Sequence, residues 1–448
     1  MNVTTPSPPR LLRIAAAAAR WLLALVVAGW LLVGLCVVVL HAWIVPRIGE
    51  WRGALEAQAS RLAGVPVRIG SLEAYSRSLF PTIELHDVVL EDPGRGEALR
   101  LARVVASVSP RSLWHRGFEQ LYIERPELDV RRDADGRLRI AGVVLNPDDR
   151  KDDSPGADWL FSQREVVVEH GTVRWTDETR DAPTLTLADV RFVVRNGVRS
   201  HAMRLDATPP EGWGQRFSIN GRFRQPLLSL RSGDWRDWSG QLYADLPHID
   251  VTRLGQYVKL DARIREGEGA VRAWIDVESG RAVGGAADLA LSRIDAVLGA
   301  QLEPLQLRDL TGRLAVRATD QLFEFSTQNL QFATGDGQRW PGGNFWLRTH
   351  PANGRTPESG ALRADQLDLG AMALIADRLP IGSQVRRLLS VRAPRGLLEH
   401  IEGSWQGPAD SPTRYQAKLR VKGLAVAADG RNATPDGHHL GSPGVRGL

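Results

Sequence analysis

The chain has 448 residues, 43% hydrophobic and 24% charged, a balance that suits a folded protein large enough for more than one core. Its net charge of +5 rests on arginine, since Lys151, Lys259, Lys418 and Lys422 are the only lysines among 57 basic residues, and no dense basic run interleaved with aromatics argues for nucleic acid. The single cysteine, Cys36, excludes a disulfide framework and any CxxC site.

Residues 1–20 form a short basic tail. The stretch WLLALVVAGWLLVGLCVVVLHAWIV, 21–45, carries no formal charge, and as a helix it reaches roughly 37 Å, enough to cross a hydrocarbon core. A cleaved signal peptide would have a shorter apolar core and a small-residue cleavage site, which HAWIVPR does not offer. Arg10, Arg13 and Arg20 nearly balance Arg47, Arg52 and Arg61, so flanking charge does not set the orientation. Because long domains translocate largely regardless of flanking charge, the expectation is a cytoplasmic tail and an exported bulk. After Pro46, Ile48, Trp51, Leu55 and Leu62 recur at helical spacing, which predicts a stalk helix stopped by Gly64 and Pro66. From Val67 onward the pattern is short strands of period two, with DPGRG (92–96), DADG (133–136) and EGEG (266–269) read as turns. The stalk and a first β module occupy 46–145, and NPDDRKDDSPGAD (146–158) reads as a polar linker.

One fault recurs in the strand pattern. In FPTIELHDVVLED (80–92), Ile83 and Leu85 are followed one residue out of phase by Val88 and Leu90, so a bulge or sharp bend is expected at Asp87. LTLADV repeats it with Leu185, Leu187 and Asp189 before Val190, and LQLRDL with Leu305, Leu307 and Asp309 before Leu310. Asp87, Asp189 and Asp309 are therefore read as structural corners, and each slip is expected to turn the later apolar residues to a second surface. Asp250 and Asp368 each follow a strand and precede apolar residues three apart, as N-caps of short helical insertions do. Both pairs recur after about 120 residues, which predicts β repeat units at 159–304 and 305–425 and an irregular tail at 426–448. SPGVRGL (442–448) resembles the approach to another such corner, so the chain is expected to be a truncated or fragmentary form of a longer one.

Motifs for chemistry are absent: there is no GxSxG, HExxH, P-loop or Rossmann glycine pattern. DADG lacks the acidic residue that would close a calcium loop, and His438-His439 have no evident partners for a metal. No cofactor, no metal and no enzymatic activity is expected. Strands of period two leave one apolar face, which is either the core of a closed sandwich or the lining of an open groove.

The order of features resembles the AsmA-like proteins, most closely the YhdP branch. The resemblance rests on the N-terminal span and stalk, LAGVPVRIGSLEA (62–74), FPTIELHDVVLED, LYIERPELDVRRDADGRLRI (121–140), APRGLLEHIEGSWQG (393–407) and LRVKGLAVAADG (419–430). It implies a mostly β fold, an elongated antiparallel groove with small helical insertions behind an N-terminal transmembrane helix. It also implies a single-pass protein of the bacterial inner membrane with a periplasmic bulk, a membrane phospholipid cargo carried toward the outer membrane, and envelope proteins as further partners. On that reading Ile83, Leu85, Leu185, Leu187, Leu305 and Leu307 are the candidate groove lining. The alternative is a non-conducting structural or assembly factor of the envelope.

Overall fold

The structure is a computed structural model that describes residues 10–39, 45–75, 82–92, 96–108, 117–141, 143–145, 155–180, 182–229, 231, 233–257, 262–340, 342–354, 356–409, 411–427 and 445–446. Helix α1 (Arg10–Val39) carries most of the apolar N-terminal run, and every one of its described side chains is exposed. Over the described residues no helix is long and apolar enough to cross a membrane. The side chains at 33, 36 and 37 lie outside the description, and the sequence through them is VGLCV, so the apolar run of sequence is longer than the run of described side chains. Residues 40–44 of the expected span, positions 146–154 of the expected linker, and the tail holding His438-His439 also lie outside the described residues.

A 3-10 segment, Val45–Trp51, leads into α2 (Arg52–Ala63), which ends where Gly64 takes the left-handed conformation and its N–H closes on Ser60 O. This helix lies against the sheet. Glu56 Oε1 and Ser60 Oγ accept hydrogen bonds from the Ile69 and Val67 N–H groups (2.8 and 2.9 Å), so α2 covers an edge that would otherwise be free to pair.

All 21 strands among the described residues belong to one sheet. The antiparallel run β1 (Val67–Tyr75), β2 (Thr82–Asp92), β3 (Gly96–Ser107) and β4 (Gln120–Arg132) starts it. The small strands β5 (Leu138–Ile140) and β6 (Val143–Leu145) fold back on β4 through the DADG turn, where Gly136 N–H bonds Asp133 O. Helix α3 (Pro155–Ser162) begins inside the polar segment read as linker and returns the chain to β7 (Glu165–Asp177), which pairs with β4 in parallel. From there neighbours are antiparallel: β8 (Leu185–Asn196), β9 (Ser200–Thr208), β10 (Phe217–Arg224), β11 (Ser239–Asp250), β12 (Arg263–Glu278) and β13 (Arg281–Val297). The run continues through β14 (Leu305–Thr319), β15 (Leu322–Thr334), β17 (Phe345–His350), β18 (Ser359–Asp368), β19 (Arg395–Gln406) and β20 (Arg414–Val426). Two-residue strands β16 (Arg339–Trp340) and β21 (Val445–Arg446) attach to β15 and β20.

The expected N-caps are in place. Asp250 accepts from Thr252 and Arg253 N–H to start α4 (Val251–Gly255), and Asp368 accepts from Ala371 N–H to start α5 (Leu369–Ile375). Helix α6 (Ser383–Arg392) follows. Four strands, a helical insertion and two strands thus occur twice, β8 to β13 and, the two-residue β16 aside, β14 to β20, at the spacing the aspartates set. The EGEG segment, by contrast, is no turn: it lies inside β12, where a Cβ on Gly269 would sit 2.1 Å from Ala290 O of β13. Glycine there lets two backbones approach rather than reverse.

The strand faults are bends. Asp87 has φ +50°, yet His86 still pairs with Arg103 and Val88 with Leu101, so no residue is inserted; a left-handed residue breaks the side-chain alternation in place. Arg125 of β4, His170 of β7 and Asp189 of β8 also have φ near +50°. Against β9, β8 does carry one extra residue, since Ala188 faces Thr208 and Arg191 faces Asp206. At the third motif β14 has one extra residue against β15, between Leu307 and Asp309, while the left-handed residue is Arg293 of β13, next to the Ser292–Asp309 pair. The expectation of two surfaces is overturned: Ile83, Leu85, Val88 and Leu90 all pack on one apolar cluster, and so do Leu305, Leu307 and Leu310 on another. A bend with a left-handed residue at its apex keeps both phases on the same side. Asp87→Val is expected to cost about 1–2 kcal/mol, because a β-branched residue is disfavoured in that conformation, and Asp87→Gly much less. Urea midpoints of the two variants check this; equal midpoints would refute it.

Candidate functional site

Successive residues of a strand point to opposite faces, so register pairs define rows that cross the sheet on one face. One such row runs Ala74, Ile83, Ala106, Leu121, Val166, Val194 and Met203 from β1 to β9, skipping the side hairpin. It continues as Gly221, Leu242, Ile275, Gly285 and Val316 to β14, then Phe325, Leu347, Leu362, Gly403 and Ala417 to β20. Every position is apolar or glycine. Two residues along on the same face, a second row links Leu85, Val104, Ile123, Val168 and Phe192 to Leu205, Ile219 and Ala244, and on to Leu314, Phe345 and Ile401; Thr327 is its one polar member.

The opposite face is charged. Arg103 forks between Glu84 and Glu124, Arg313 grips both oxygens of Asp288 (2.6 and 2.9 Å), Arg272 lies 3.5 Å from Asp245, and Arg348 binds Glu324. The Arg103 and Arg313 guanidinium groups hold the Glu84 and Asp288 carboxyls below the usual range, and the Trp346 indole N–H followed by Arg348 does the same for Glu324. These are pairs that solvate a surface, with no two carboxyl groups free to share a proton, and no metal-binding cluster occurs among the described residues.

The apolar face is covered at two places. At the β1 end, Leu55, Ala59 and Ala63 of α2 and Trp159, Leu160 and Phe161 of α3 pack on Val67, Ile69, Val104, Val166 and Val194. On the second repeat, Ile375 of α5 and the following Leu379 lie over Leu305 and Leu307. In between, the face is open: Ile275, Val316 and Phe323 keep 38%, 44% and 41% of their surface exposed. A cluster of rings closes the first covered zone. Trp238 stacks on His201 (3.9 Å between ring centres) with Phe161 and Phe223 against it, and both Trp238 and His201 are buried. His201 Nδ1 lies 2.8 Å from Asn196 Oδ1, whose amide nitrogen donates to Gln163 O, and Nε2 lies 3.2 Å from Gln225 Oε1; burial pushes the imidazole pKa down.

The sequence candidates do not form one lining. Leu85 shares its row with Phe192, whereas Leu187 is linked through Val173, Leu128 and Leu99 to Leu90. The single parallel step from β4 to β7 causes this, since it makes β8 run opposite to β2. Ile83 and Leu85 are half-buried under the first cover, Leu185 and Leu187 are half-buried, and Leu305 and Leu307 are buried under α5. Asp189 holds His170 (2.9 Å) and Arg216, which lower its pKa, and Asp309 touches Arg308. Sequence reasoning missed the open stretch of the face; its signal was the alternation of Val271, Ala273 and Ile275 and of Leu314, Val316 and Ala318.

No curated protein and no solved structure matches the chain. Among protein families, the one described as YhdP protein matches it over residues 1–444. The chain therefore belongs to the YhdP family.

Proposed function

We propose that this protein is anchored in the bacterial inner membrane through residues 21–45, with the β-sheet in the periplasm, and that phospholipid acyl chains move along the apolar face toward the outer membrane. The observation that carries the reading is the apolar row that runs through 17 strands, on the order of 75 Å at the usual strand spacing, covered by α2 and α3 at its β1 end and open at Ile275 and Val316. Each methylene taken from water onto such a row gains about 0.8 kcal/mol, while a headgroup can stay in solvent at the rim. Passage of this kind needs an apolar lining and no nucleophile or general base, and the paired carboxylates of the other face fit that. The apolar N-terminal sequence supports the anchor.

The test is photocrosslinking in cells, with the reactive residue placed at Ile275, Val316 or Phe325 and, on the charged face, at Trp274, Ala315 or Ser326. Phospholipid adducts at the first set and none at the second are expected. Adducts at neither, with the chain folded and in the membrane, would reject lipid passage and leave a structural or assembly role, for which the filled cluster at the β1 end already provides a model of a closed core.

A further inference from the structure

A cleft of about 590 Å³ opens at the rim of the sheet where the first repeat meets the second. One wall is the end of α4, at Gly255 and Gln256, and the other is the β13–β14 connection, at Gly299 and Ala300; the start of β12, with Arg263 and Ile264, forms the floor. Both walls are held from behind. Gln256 O accepts from Arg180 (3.3 Å) and the Tyr257 ring lies against Trp213, while Leu302 N–H donates to Gly299 O and Glu303 N–H to Asp377 O (3.0 and 3.1 Å). The cleft is therefore bounded on each side by hydrogen-bonded backbone.

The one formal charge among the described lining residues is positive. Arg263 is exposed, and its side chain has no hydrogen-bond or ion-pair partner among the described residues. Acidic groups on the adjoining segments are engaged elsewhere: Asp250 accepts from the Thr252 and Arg253 N–H groups, Glu266 lies 3.8 Å from Arg293, Asp295 accepts from Gln306, and Glu303 lies 4.0 Å from Arg378. The inner end is apolar. Ile264 pairs with Ala296 of β13 and Ala296 with Leu305 of β14, which sets all three on the apolar face. Val251 of α4, Ile264 and Ile294 converge on Gly267, where an added Cβ would meet them at 3.7 to 3.9 Å, so the glycine leaves a gap among apolar side chains. Beyond it Val271, Ala273 and Ile275 carry the apolar face along β12 to the open stretch.

We propose that this cleft is a phosphodiester-headgroup site through which phospholipid joins the apolar face from the side, its phosphate on Arg263, its glycerol between α4 and the β13–β14 connection, and its acyl chains over Ile264 and Gly267 toward Ile275. The assignment rests on the proposed passage of lipid and adds the point of entry. At the β1 end the apolar face is filled by α2, α3 and the rings around Trp238, so the first open stretch a lipid can reach lies beyond that cluster. An uncharged apolar ligand would leave the guanidinium unused, and a free anion would leave the apolar inner end unused. A phosphate with acyl chains attached uses both, since arginine forks onto phosphate oxygens and each buried methylene adds to the affinity.

The full chain is tested in cells with a photoreactive residue at Ala300, on the cleft wall, or at Ile275, on the open stretch. Phospholipid adducts are expected at both, bonded through the headgroup or glycerol at Ala300 and through an acyl chain at Ile275. Arg263→Gln should lower both yields about tenfold, the loss of one charge-assisted hydrogen bond, and Arg263→Lys should restore much of the yield. Because Arg263 is exposed, melting should be the same in both variants. The purified chain in an uncharged detergent, given dihexanoylphosphatidylglycerol, should still form the Ala300 adduct in the presence of excess inorganic phosphate. Adducts at Ile275 with none at Ala300, or equal yields in Arg263→Gln, would overturn the side entry and leave passage along the face standing; adducts at neither position would overturn both. Loss of the Ala300 adduct to inorganic phosphate would reduce the cleft to a free-anion site and overturn the lipid assignment.

Discussion

Val316→Asp is expected to leave the sheet folded and to stop lipid from passing beyond β14. Val316 stands on the open part of the apolar face, paired with Gly285 on one side and Phe325 on the other, and 44% of its surface is exposed. A carboxylate there remains hydrated in the free protein, so the cost to folding is expected to stay below about 1 kcal/mol. An acyl chain laid over it must strip that hydration, and burying even a neutral polar group unpaired costs roughly 2–7 kcal/mol. At 1.4 kcal/mol per factor of ten, occupancy of the row at that point should fall at least tenfold. Crosslinking at Ile275 and at Leu347, on either side of the substitution, measures it: adducts should persist at one position and fall at the other. Ala315→Asp, one residue along and on the charged face between Ala286 and Ser326, is the control and should change neither. Equal loss from both substitutions would mean a folding effect, and no loss from Val316→Asp would remove the apolar row from the mechanism.

Local signals were legible in the sequence where one residue decides one geometry. Asp250 and Asp368 cap their helices as read, Gly64 stops α2, and the phase faults at Asp87 and Asp189 mark left-handed residues. The direction and pairing of strands were not legible, because they depend on contacts far apart in sequence. One parallel step, β4 to β7, reverses the order in which equivalent motifs meet the sheet, so Leu85 and Leu187 carry the same local pattern and sit in different rows. The phase slip itself was seen and its consequence misread: alternation predicts a change of face only while the backbone stays extended, and a left-handed residue violates that condition. EGEG failed for a related reason, since glycine signals a turn and a close backbone approach with the same letter. The apolar face was legible as alternation, but which part of it stays open depends on where α2, α3 and α5 land, and no single stretch encodes that.

Trp238→Ala is expected to be the most damaging single change to the fold, at about 3–5 kcal/mol, the range for a large aromatic side chain removed from a packed site. Trp238 is 3% exposed and touches three rings that come from separate parts of the chain: Phe161 on α3, His201 on β9 and Phe223 on β10. It therefore joins the helix-covered first zone to the first repeat, and its loss should raise hydrogen exchange in β9 to β11 while β17 to β20 stay protected. Trp238→Phe keeps much of the ring contact and should cost less than half as much. His201 gives the same cluster a pH dependence. Its folded pKa lies below the value of about 6.5 it has when unfolded, so below that pH the unfolded chain binds a proton that the folded one refuses. Stability of this region should thus fall as pH drops from about 6.5 toward the lowered pKa, by up to about 1.4 kcal/mol per pH unit, and be fully present above 6.5. His201→Gln, which cannot titrate, should lose that slope. An unchanged slope in the glutamine variant would assign the pH response to other groups, and an unprotected β17 to β20 in Trp238→Ala would show that the sheet unfolds as one body rather than from this joint.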